Sequence, residues 1–96
     1  MVASAAKRDA APVDVPPAFL FEVRAAQDSQ AMLRIAGLFA QRNLVPQQIS
    51  CRKSGGSLLV TIEIALDTAS TAQLILQKIR SLVLVEHADL VELGDR

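Results

Sequence analysis

The sequence predicts an α+β domain in which a four-stranded antiparallel sheet carries two helices on one face, in the order βαββαβ. Three observations predict it. Apolar and polar residues alternate over 19–25 and again over 58–66, the two-residue period of strands with one buried face. The period lengthens to that of an amphipathic helix over 29–42 and 69–81. Turn-forming residues, Ser54-Gly55-Gly56 and Asp67-Thr68 among them, mark the changes of period.

Residues 1–17 are Ala, Pro and charge without periodicity, and Pro16-Pro17 keeps a helix from leading into the first strand. They are expected to form a disordered tail ahead of a single domain at 18–96. In the first strand Phe19, Phe21 and Val23 point one way and Leu20, Glu22 and Arg24 the other. The first helix comes next, with Met32, Ile35, Ala36 and Phe39 as its inward row and Asn43 in the left-handed position that ends it. A second strand over 44–53 is weakly apolar, and Pro46 in its first half cannot donate to a ladder, which assigns it to an edge.

Both glycines of the Ser54-Gly55-Gly56 turn are free to take positive φ. The third strand then buries Leu58, Val60, Ile62 and Ile64 in one row. The second helix turns Ala72, Ile75, Leu76 and Ile79 inward, and a β-rich run over 83–93 closes the domain. With right-handed crossovers this order is the split βαβ of the ferredoxin-like fold.

Composition narrows the function classes. Ten basic and ten acidic residues cancel, leaving no electrostatic footprint for nucleic acid or an anionic membrane. No apolar run approaches the roughly 20 residues of a membrane span, and no signal-peptide core is present, so a cytoplasmic location is the default expectation. Cys51 is the only cysteine and has neither a disulfide partner nor metal-ligand company. His87 shares a strand face with Asp89 only, because neighbouring strand residues point to opposite sides. No nucleophile elbow, glycine-rich phosphate loop or carboxylate pair is found. Catalytic residues, a metal and a cofactor are therefore not expected.

What remains is association. The uncovered sheet face is expected to carry Leu20, Leu59, Thr61, Ala65 and Leu84 or Leu90, and such a face calls for a second layer or a partner. Gly37 falls on the polar side of the first helix, where glycine costs about 1 kcal/mol relative to alanine unless something packs closely against it. It is a candidate interface residue, and a homodimer or higher oligomer is the expected state.

The stretch SQAMLRIAGLFAQRNLVPQQIS resembles the first helix and second strand of ACT domains, most of all those of the short small subunits of acetolactate synthase. Gly37-Leu38-Phe39 and Gln41-Arg42-Asn43 stand where that family has "GLF" and "QRG", and Ser81-Leu82-Val83 resembles its "KLV" before the last strand. The resemblance covers about residues 19–93. It implies a non-catalytic regulatory subunit that associates with a thiamine-dependent catalytic large subunit in branched-chain amino acid biosynthesis and responds to an amino-acid effector. It also implies where an effector would sit: the strand-to-helix turn, here Gln27, Asp28, Ser29, Gln30, Ala31 and Met32, facing Asn43, Leu44 and Val45 of a neighbouring chain, with Pro46 and Gln47 at the interface.

The turn departs from the family at specific places. Gln30 stands where the family has glycine, and its Cβ narrows the approach of a carboxylate. Asp28 can itself accept the helix's first amide hydrogens and would repel a second carboxylate. Asn43-Leu44-Val45-Pro46 replaces a pattern of Gly-x-Asn-Ile, without the asparagine expected to face the ligand. These residues favour a self-satisfied cap, and hence protein partnership ahead of amino-acid sensing. Two other expectations stay open, a free-standing homodimer that senses an amino acid and a purely structural dimerisation module.

Overall fold

Alternating residues of the first strand, β1 (Ala18–Ala26), bury Phe19, Phe21, Val23 and Ala25 and turn Glu22 and Arg24 to solvent. The structure, a computed structural model, describes residues 17–94, so the expected tail at 1–17 lies outside the described residues except for Pro17. The Pro17 carbonyl accepts the Leu66 N–H at 3.0 Å.

The other elements are α1 (Ser29–Ala40), β2 (Gln48–Ser54), β3 (Ser57–Ala65), α2 (Ala69–Arg80) and β4 (Val85–Gly94). The strands form one antiparallel sheet in the order β2-β3-β1-β4. With two helices this is the βαββαβ ferredoxin-like arrangement that the sequence predicts. The core lies between helices and sheet and is wholly apolar: no buried polar or charged residue occurs among those described. Its centre joins β1 to α1, where Phe21 meets Phe39 edge to face with ring centroids 5.3 Å apart.

Three local expectations are corrected. The inward row of α1 is Ala31, Ile35 and Phe39, with Met32 and Leu38 partly buried beside it, so the helix is rotated from the Met32–Ala36 row. Ala31 is small enough to leave the two rows hard to tell apart by pattern. β2 begins at Gln48 rather than 44. Asn43 does take the left-handed conformation, at φ 57°, and Leu44 N–H then donates back to the Phe39 carbonyl at 3.0 Å, closing the helix. Pro46 has no N–H to offer, so pairing with β3 starts at Gln47, whose N–H reaches the Glu63 carbonyl at 2.8 Å.

In the hairpin the freedom of glycine to take positive φ is used at Gly55, which has φ 64°. The third correction concerns β4. Leu84, in the turn before β4, packs against the core. Leu90 lies on the core side as well and not on the open face, because β4 shifts register against β1 between the Arg24–His87 and Ala25–Val85 pairs. Glu86 is the unpaired residue there, a β-bulge that turns His87, Asp89 and Val91 outward and Ala88 and Leu90 inward.

Candidate functional site

The turn between β1 and α1 is held by its own atoms. Asp28 is extended at φ −138°, ψ 135°, and its Oδ1 accepts the Gln30 N–H at 2.8 Å while its carbonyl accepts the Ala31 N–H at 3.0 Å. An aspartate in that place satisfies orphan helix donors and sets a negative charge on the positive end of the helix dipole. The position that would receive a ligand carboxylate already holds one.

Gln27 fastens the turn from the other side. Its Nε2 donates to the carbonyl oxygens of Gly55 at 3.0 Å and Ser57 at 3.4 Å, so the turn rests on the β2–β3 hairpin. Between them a shallow hollow of about 300 Å³ is bounded by Gln27, Asp28, Ser29, Lys53 and Leu58. Lys53 is a cation at this hollow that sequence reasoning missed. It reaches the turn only because the hairpin folds back, a relation no local pattern carries. On the far side of Asp28 a second hollow runs past Gln30 and Arg34 to the 81–84 loop.

The remaining expected effector residues fall elsewhere. Gln27, Asp28, Ser29 and Gln30 are exposed at the turn, whereas Ala31 lies in the core and Met32 is partly buried against it, so from Ala31 only the backbone is on offer. Asn43, Leu44, Val45, Pro46 and Gln47 lie beyond the opposite end of α1, about 18 Å away for a twelve-residue helix. Leu44 packs against the core and Val45 is 84% exposed. One chain does not bring the two groups together. Gly37 is half-buried, with nothing within 4 Å of the place where a Cβ would stand.

A second surface emerges from cross-strand register. On the uncovered side of the sheet, Arg52, Leu59, Arg24 and His87 form one row across all four strands. Ser50, Thr61, Glu22 and Asp89 form the next, and Gln48, Glu63, Leu20 and Val91 the third. The first two rows border a depression of about 270 Å³. His87 Nε2 lies 2.8 Å from Asp89 Oδ2, and Arg80 approaches the other Asp89 oxygen at 3.8 Å while its Nε donates to the Ala88 carbonyl at 3.0 Å. Ser50 and Thr61 hydroxyls meet at 2.6 Å. Glu22, Arg24 and Arg52 show no ion pair among the described residues.

A four-stranded antiparallel sheet with two helices in the order βαββαβ defines a small α+β module of the ferredoxin-like class. The chain belongs to the ACT-like domain family, whose family model matches residues 17–96. No curated protein sequence matches it. Among solved structures it is similar to the ACT domain from GTP pyrophosphokinase of Chlorobium tepidum, at 11% identity and a TM-score of 0.68. That match covers 77% of this chain and 84% of the solution structure or 96% of the crystal structure. It is similar too to the C-terminal domain of the MgtC protein from Mycobacterium tuberculosis, at 8% identity and a TM-score of 0.70, over 85% of this chain and 93% of that one. At these identities the likeness is one of fold. No helix among the described residues is long and apolar enough to cross a membrane.

Proposed function

We propose that this ACT-like chain is a non-catalytic regulatory or accessory subunit that acts by pairing with other chains, a catalytic large subunit of the acetolactate synthase kind among them. The observation that supports this is the state of β2. Ile49 and Cys51 pair with Ile62 and Val60, so they stand on the helix-covered side of the sheet, yet both are exposed at this edge. An edge strand with open backbone groups and an uncovered apolar residue is suited to pairing side by side with another chain. The choice of catalytic partner rests on the resemblance of the Gly37-Leu38-Phe39 and Gln41-Arg42-Asn43 motifs to those of acetolactate synthase small subunits.

Coexpression with a thiamine-dependent large subunit tests the reading. Copurification, or a rise in the synthase rate on mixing, is the expected result, and no effect on any such subunit would overturn it.

The second reading is an amino-acid sensor, and Lys53 beside the turn favours it, since an ammonium there could balance an incoming carboxylate. Asp28 opposes it from the same hollow. A thermal-shift screen over the twenty amino acids separates the two, because a ligand at 100 times its Kd stabilises by about 2.7 kcal/mol.

A further inference from the structure

We propose that the open sheet face is a self-complementary surface on which a second copy of this chain docks face to face about a two-fold axis. The proposal stands on the cross-strand rows and is independent of any catalytic partner.

The face is polar in an ordered way. One row carries Arg52, Arg24 and His87, and the adjacent row carries Glu22 and Asp89, with side-chain rows about 6.8 Å apart along the strands. A polar contact between the two rows is already made within the chain, where His87 Nε2 lies 2.8 Å from Asp89 Oδ2. Arg24 and Glu22, both exposed on the central strand β1, show no ion-pair partner among the described residues. An anionic ligand over the basic row would lie against the acidic one, and a cationic ligand would meet the reverse. A surface with both rows in the same order answers both.

Consider a two-fold axis running across the strands between these rows. It sets the basic row of one copy over the acidic row of the other without changing the strand order, so Arg24 faces the partner's Glu22, His87 the partner's Asp89 and Leu59 the partner's Thr61. Each contact occurs twice. Stacked sheets stand about 10 Å apart, a gap that an arginine and a glutamate bridge together. Aligned sheets cross at about −30°, which displaces contacts at the edges more than those on the central strands β1 and β3. The flat area of four strands by seven residues is roughly 450 Å² per copy, short of the ~800 Å² per partner of a standard interface. The association is therefore reversible and sensitive to salt.

Sedimentation equilibrium of the full chain tests this between about 0.01 M and 1 M NaCl, a change that shortens the screening length from about 30 to about 3 Å. The wild type should self-associate, more weakly as salt rises. Arg24→Glu and Glu22→Arg should each weaken the dimer at least tenfold, since each sets like charges together twice. An equimolar mixture of the two variants should regain the wild-type affinity, because in the mixed dimer both facing pairs are opposite in charge. A pair formed within one chain cannot give that rescue. A wild type that stays monomeric at millimolar concentration, variants that associate as the wild type does, or a mixture as weak as its components would each overturn the proposal.

Discussion

Phe21 of β1 and Phe39 of α1 meet edge to face, with planes 81° apart, and both rings are almost entirely out of solvent. This contact couples the central strand to the helix that begins at the candidate turn. Phe39→Ala removes it together with a large buried volume and should cost about 3–5 kcal/mol, a large share of what a domain of this size has. Phe39→Leu keeps much of the apolar area and should cost about 1–2 kcal/mol. Urea midpoints at constant slope measure both.

Asp28 has a separable role. Asp28→Ala loses the cap on Gln30 N–H and should destabilise by about 1 kcal/mol, whereas Asp28→Asn keeps an acceptor and should be nearly neutral. Chemical denaturation of the two variants side by side gives the difference.

Opening the same turn should change binding. The double substitution Asp28→Asn, Gln30→Gly removes the resident charge and the Cβ, and should create or strengthen amino-acid binding. A thermal-shift screen that is flat for the wild type and positive for the double variant is the expected pattern.

Gly55 and Gly37 should respond oppositely to alanine. Gly55 holds φ 64°, where a Cβ costs about 1–2 kcal/mol. Gly37 lies within a helix with open space around it, so Gly37→Ala should stabilise the isolated chain by about 0.5–1 kcal/mol. If a partner's backbone lies against Gly37, the same change weakens the assembly while it strengthens the chain, and melting and sedimentation runs on one sample show which.

On the edge strand, Ile49→Lys should cost about 1 kcal/mol or less, because the residue is 37% exposed and a lysine can lay its stem along the strand. It should abolish copurification with a partner that pairs along β2. Pull-down of the variant beside a denaturation curve checks both.

The sheet and helices are legible because β1 and β3 alternate cleanly and both helices carry apolar rows. Two kinds of information are not local. One is parity: nothing in the run SLVLVEHADLVELG marks Glu86 as the unpaired residue, and that single position decides whether Leu90 or Val91 faces the helices. The other is register between strands far apart in the chain, which alone aligns Arg52 with Arg24 and His87, or brings Lys53 to the turn at Gln27. The turn is legible as a cap from Asp28 alone, since an N-cap aspartate acts within two residues of itself.

The Gln27 amide makes one mechanical body of two loops that are 28 residues apart at Gly55. Any force that draws the start of α1 outward must stretch these bonds or carry the tip of the hairpin with it, and the tip is the end of the edge strand. A ligand that moved Gln27 would therefore also bear on the end of the edge strand, and a chain that displaced the end of β2 would bear on the hollow beside Gln27.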